Sequence, residues 1–186
     1  IKTCERLENE IGKNWVFCSV DAGGEVLAKK FASAFNTPLV ISHKQRDYSC
    51  ANKVVSTHIL SGAPLSGKIV WVIDDMIDTG GSMEKLVTEL AAHDVKEINV
   101  AVVHPVLSGP AIERLGALMN EGLLARLVFT DSVYCDQKLL QSIPSATVVN
   151  SHELAASIIY NLNQELSLSH FFEPFNVHTH FECNCK

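Results

Sequence analysis

The chain has 186 residues, 47% hydrophobic and 19% charged, with a mean hydropathy of +0.14, which excludes a disordered, collagen-like or charge-dominated polypeptide. At 20.4 kDa, folding can bury about 70% of the unfolded surface, enough for one core without covalent staples. Fifteen Lys plus Arg against 21 Asp plus Glu leave a net charge of −6, and the cations are scattered, so no nucleic-acid footprint is expected.

The densest apolar run, 69–73, is far short of the roughly 20 residues of a membrane span. Of six cysteines, Cys4, Cys18, Cys50 and Cys135 are isolated, which fits reduced thiols better than a disulfide scaffold. The expectation is a cytoplasmic protein with no membrane or nucleic-acid partner. The chain opens with Ile1 rather than Met, which predicts a processed product or a piece of something longer.

In chain order, six short apolar runs predict strands at 15–20, 39–41, 69–73, 98–103, 127–130 and 146–149, their near-continuous apolarity implying cover on both faces. Between them, Leu27, Phe31, Ala34 and Phe35 recur at helical period, as do Met83, Leu86, Val87, Leu90 and Ala91. Such alternation predicts an α/β fold, an open parallel sheet flanked by helices. A last helix is expected to start within 150–153, with Asn150 and Glu153 as a capping-box variant, and to bury Leu154, Ile158 and Leu162. Segments 44–67 and 170–186 lack periodicity and are the candidates for mobile structure.

In an open parallel sheet the ligand sits beyond the carboxyl ends of the strands, so the residues after each apolar run have first claim on function. After 69–73 come Asp74, Asp75, Met76, Ile77, Asp78, Thr79, Gly80, Gly81 and Ser82, then a helix. That order gathers bare amides, hydroxyls and a helix N-terminus at one point, suiting a phosphate monoester, with paired carboxylates placed to accept from the hydroxyls of a sugar. After 15–20 come Asp21, Ala22, Gly23 and Gly24. These glycines allow close backbone approach to a second anion, and Asp21 could ligate a hard cation such as Mg²⁺; the plain alternative is a structural turn.

Lys44, Gln45 and Arg46 follow the run 39–41 and open the first aperiodic segment. Two cations on a mobile loop can close over a transferring phosphoryl group, the alternative being a solvated basic turn. His104 precedes a further strand-to-helix junction, 105–111, with Pro110 in the first helical turn; a structural hydrogen-bonder is the favoured reading of this histidine over a base.

Together these residues resemble the carboxy-terminal half of the ribose-phosphate pyrophosphokinases, which make phosphoribosyl pyrophosphate, and more broadly the type I phosphoribosyltransferase fold. The run 72–82 is similar to the signature of phosphoribosyl pyrophosphate binders. The synthase-like features are Asp21 to Gly24, the triplet Lys44, Gln45 and Arg46, the run 107–114 (Leu-Ser-Gly-Pro-Ala-Ile-Glu-Arg), and Thr130, Asp131 and Ser132.

The likeness is read over 1–172, one phosphoribosyltransferase-like domain, with 173–186 an unmatched tail expected to be disordered. It implies that Asp74 and Asp75 hold the ribose hydroxyls and that Asp78, Thr79, Gly80, Gly81 and Ser82 grip the 5-phosphate. It further implies that Asp21 is a Mg²⁺ ligand, that Ala22, Gly23 and Gly24 flank the pyrophosphate, and that Lys44 and Arg46 are the catalytic pair.

The implied reaction transfers pyrophosphate from Mg·ATP to ribose 5-phosphate, in a homo-oligomer or beside an amino-terminal half. Gln45, where the family usually has a second basic residue, and Val20, in place of a common proline, are departures. The competing readings are a non-catalytic regulatory or sugar-phosphate-binding homologue and a salvage phosphoribosyltransferase. In the tail, His178, His180, Cys183 and Cys185 are spaced more tightly than the usual structural-zinc patterns, and no site is expected there.

Overall fold

Valine- and isoleucine-rich runs become strands because branched side chains fit a pleated surface buried on both faces. The computed structural model describes residues 10–47, 53–60, 63–135, 143, 145–173 and 177. Their order is β1 (Trp15–Ser19), α1 (Glu25–Ala34), β2 (Leu39–Asp47), β3 (Lys53–Leu60), β4 (Ile69–Ile77), α2 (Gly81–Ala91), β5 (Glu97–Pro105), α3 (Ala111–Asn120), β6 (Arg126–Thr130), β7 (Ala146–Val149) and α4 (His152–Asn163).

All six expected runs are strands of one sheet, ordered β3-β2-β1-β4-β5-β6-β7. Every neighbouring pair from β2 to β7 is parallel.

The chain leaves β1 for β2 on one side and later returns to β4 on the other. The connection through α1 packs Ala28 and Ala32 against Phe17 and Ile73 on one face. On the opposite face α2 and α3 bury Met83, Leu86, Val87, Leu90, Leu115 and Leu118 against Val70, Val72, Val100, Val102 and Phe129. Connections that depart to opposite faces from adjacent strands leave a crevice at the carboxyl ends of β1 and β4, the topological switch point of the sheet.

Three expectations need correction. First, 44–67 is not one irregular segment: β2 runs on to Asp47 and pairs antiparallel with β3, Ile41 opposite Leu60 and Asp47 opposite Lys53. Lys44 and Arg46 therefore lie on a strand of a hairpin, with a register shift between Gln45 and Arg46. An antiparallel edge pair satisfies its backbone groups without a continuous apolar run, so hydrophobic content alone understated it.

Second, Asp74 and Asp75 do not follow β4 but belong to it, because pairing with β5 continues from Asp74 opposite Val102 to Ile77 opposite Pro105. Third, α4 forms where expected, yet none of its residues is buried, and Leu154 and Leu162 are 54% and 60% exposed. It follows the edge strand β7, whose own Val148 and Val149 are exposed. Instead of an Asn150–Glu153 box, the Asp131 carboxylate accepts from the Ser151 amide (2.7 Å) and hydroxyl (2.5 Å) at the start of the helix. The residues His178, His180, Cys183 and Cys185 lie outside the described part. Among the described residues, no helix is long and apolar enough to cross a membrane.

Candidate sugar-phosphate site

A cavity of about 430 Å³ opens at the β1/β4 crevice, lined by Asp21, Gly23 and Gly24 from one side and by residues 74–83 from the other. Its size lies within the range of small-molecule sites. Each wall owes its shape to local chemistry.

After β1 the chain turns over its own aspartate, whose Oδ1 accepts from the Gly23 amide at 2.9 Å and the Gly24 amide at 3.2 Å. A Cβ at Gly24 would lie 3.6 Å from Asp74 Oδ1, so this turn runs close beside the β4 carboxylate. The same Asp74 Oδ1 accepts from the Asp75 amide at 3.0 Å, which fixes the first carboxylate at the rigid end of a strand.

The second wall is the turn into α2. Gly80, which has no side chain to cap the helix, occupies the cap position at φ +74. The first turn of α2 lines the cavity with no acceptor from its own cap residue, and partial positive charge there favours an anion. The run that precedes α3 braces this turn from behind. The Leu107 and Ser108 amides donate to the Ile77 and Asp78 carbonyls, both at 3.0 Å, and the Ser108 hydroxyl donates to the Asp78 carboxylate. Arg114 on α3 donates from Nη1 to the Thr79 carbonyl at 2.8 Å.

Of the expected site residues, the structure brings together Asp21, Gly23, Gly24, Asp74, Asp75, Asp78, Thr79, Gly80, Gly81 and Ser82 around one cavity. Ala22 is not among its lining residues. Lys44 and Arg46 are placed by backbone only. Ser42, just before them, reaches the turn after β1, its hydroxyl donating to the Val20 carbonyl at 2.6 Å. From there β2 continues beyond the carboxyl end of β1, whose last paired residue is Ser19 opposite Ile41.

Met76, Ile77 and Met83 also line the cavity, apolar residues to which the sequence pattern assigns no role in the site. In the sequence, Arg114 is the last residue of the run 107–114 and carries no signal of its contact with Thr79. His104, on β5, makes a hydrogen-bonding contact with Ser132. Ser132 Oγ donates to the Val103 carbonyl at 3.0 Å and lies 2.9 Å from His104 Nδ1. Pro110 stands at the cap position of α3 rather than inside its first turn.

An open parallel sheet flanked by helices, with a helix N-terminus and paired carboxylates at its switch point, defines an α/β protein whose crevice can receive an anion at one wall and hydrogen-bond donors at the other. Comparison with known proteins makes the class specific: the sequence profile of the Phosphoribosyl transferase domain matches residues 3–126, and the chain belongs to that family.

Two curated relatives carry the name ribose-phosphate pyrophosphokinase. That of Chlorobaculum tepidum is 34% identical over 168 residues, 90% of this chain and 49% of its own length. That of Streptomyces avermitilis is 30% identical over 155 residues, 83% of this chain and 45% of its own. The crystal structure of phosphoribosylpyrophosphate synthetase from Mycobacterium smegmatis superposes with a TM-score of 0.69 at 27% identity, over 88% of this chain and 51% of that one. The chain thus spans about half the length of the relatives it matches.

Proposed function

We propose that this chain is the ribose 5-phosphate-binding, catalytic half of a ribose-phosphate diphosphokinase. The observation that carries the reading is the single cavity shared by the Asp74–Asp75 pair and the uncapped start of α2. A sugar phosphate offers hydroxyls at one end and a dianion at the other, which is the polarity of those two walls. In this reading Thr79 to Ser82 bind the 5-phosphate through the first-turn amides, and Asp74 and Asp75 accept from the ribose hydroxyls. The turn 21–24 lies where the incoming pyrophosphate would pass.

The chemistry follows from alignment. The C1 hydroxyl oxygen forms a bond to the β-phosphorus of ATP, the bond from that phosphorus to the oxygen shared with the α-phosphorus breaks, AMP leaves, and the hydroxyl proton is lost. Such transfers are accelerated mainly by positioning and charge stabilisation. Lys44 and Arg46, on the extension of β2, are the proposed catalytic cations.

Mg²⁺ fits the donor set: Asp21 and Asp74 both line the cavity as hard oxygen donors, and this ion is commonly held by one or two carboxylates with substrate phosphates completing its shell. Bound there, it would neutralise phosphate charge. ATP is the proposed second substrate, with a homo-oligomer or an amino-terminal half supplying contacts to its base, and the cytoplasm the proposed compartment.

The test is formation of AMP and phosphoribosyl pyrophosphate from ribose 5-phosphate and Mg·ATP, using the chain together with the unmatched half of the Chlorobaculum relative. Turnover that Lys44→Ala and Arg46→Ala abolish is expected. Turnover unchanged by both variants would remove their role. Nucleotide made from a free base and phosphoribosyl pyrophosphate would instead identify a salvage transferase, and sugar-phosphate binding with no turnover would identify a non-catalytic homologue.

A further inference from the structure

Two successive glycines open α2, and each has its own physical cause. Gly80 sits at φ +74, where an L side chain is strained, and a Cβ there would lie 3.4 Å from the Ala111 Cα. Gly81 has no positive φ, yet a Cβ there would lie 3.0 Å from Arg114 Nη1. A side chain at residue 81 would press on that guanidinium, which would have to shift by a few tenths of an ångström to admit it.

That guanidinium holds three successive parts of the turn. Its Nη1 donates to the Thr79 carbonyl at 2.8 Å, it lies against Gly81, and its Nε stands 3.2 Å from Glu84 Oε2 in the first turn of α2. Carbonyl and amide point opposite ways in a trans peptide, so drawing the Thr79 oxygen toward α3 turns the Gly80 N–H away from it. Glu84 offsets the charge of Arg114, and the side chain is only about one-third exposed. What remains is its planar fork, which can serve two acceptors in one fixed geometry.

We infer that Arg114 is the positioning residue of the phosphate loop: it touches no ligand and fixes the 79–82 backbone in the conformation that presents its amides. The inference rests on the sugar-phosphate reading for the identity of the ligand, but the ordering of the loop does not depend on it. Arg114 sits in the run 107–114 that sets the sequence apart from a generic phosphoribosyl pyrophosphate binder, which gives that run a mechanical purpose.

The experiment uses the full chain with Arg114→Met, which keeps an apolar stem over the same surface, and Arg114→Lys, which keeps the charge and loses the fork. Backbone ¹⁵N order parameters of residues 79–82, measured without ligand, are expected near 0.85 in the wild type and below about 0.6 in Arg114→Met, with the other helices unchanged. Calorimetric titration with ribose 5-phosphate should then show binding weakened about tenfold in Arg114→Met and only partly restored in Arg114→Lys.

A loop equally ordered in wild type and Arg114→Met would overturn the inference, as would Arg114→Lys binding like the wild type, since charge alone would then suffice. A loop that loses order in Arg114→Met while no variant binds ribose 5-phosphate would uphold the brace and remove the sugar-phosphate reading.

Discussion

The hydroxyl of Ser108 donates to the carboxylate of Asp78, and the Ser108 amide donates to the Asp78 carbonyl at 3.0 Å. An anion inside a phosphate loop would repel the ligand, and the hydrogen bond from Ser108 occupies one oxygen of that carboxylate. Asp78 is thereby held by Ser108 while it lines the cavity. Ser108→Ala should weaken ribose 5-phosphate binding by about fivefold, the equivalent of about 1 kcal/mol for a partly exposed bond to a charged acceptor. Titration of the variant beside wild type checks this, and an unchanged affinity would leave the contact without consequence.

Gly80→Ala combines strain at positive φ with a close approach to Ala111. The left-handed conformation alone costs an L residue about 1–2 kcal/mol. The urea midpoint should fall accordingly with an unchanged slope, since compactness is not altered. A variant as stable as wild type would mean that the turn relaxes.

Burial pushes the Cys18 thiol up to about 12, and burial also raises Cys135. Cys18 lies on β1 and is fully buried, so its thiolate is disfavoured while the chain is folded. Because the folded value exceeds the unfolded one of about 8.5, the unfolded state releases this proton first. Stability should therefore decline as pH rises from about 9 toward 12. Iodoacetamide at pH 8 should label Cys18 only in denaturant, and rapid labelling of the native chain would contradict the burial.

Hydrogen bonds from the Ser151 hydroxyl, then from its amide, hold the Asp131 carboxyl below its ordinary value. A depressed folded value contributes stability above the unfolded value, near 4, that is lost as pH falls through the folded one. The start of α4 should fray in that acid window, seen as loss of the Ser151 amide signal. Asp131→Asn should show the frayed signal at neutral pH as well.

The parallel core and both walls of the cavity were legible because each depends on local patterns: branched apolar runs, and glycines between a strand and a helical period. The extent of β4 through Asp74 and Asp75 was not, because pairing with β5 rather than hydrophobicity keeps those acids in the sheet. The β2–β3 hairpin was missed for the same reason. Helical period placed α4 but could not say whether Leu154 and Leu162 meet another layer. Arg114 was illegible because its role needs α3 and the phosphate loop to meet in space.

The most direct test of the central claim is calorimetric titration of the purified chain with ribose 5-phosphate in Mg²⁺, with Asp78→Ala alongside and ATP titrated separately. Saturable one-to-one binding of the sugar phosphate, weakened by Asp78→Ala, is the predicted result. No binding by a chain that remains folded would contradict the assignment of the cavity and leave only the fold.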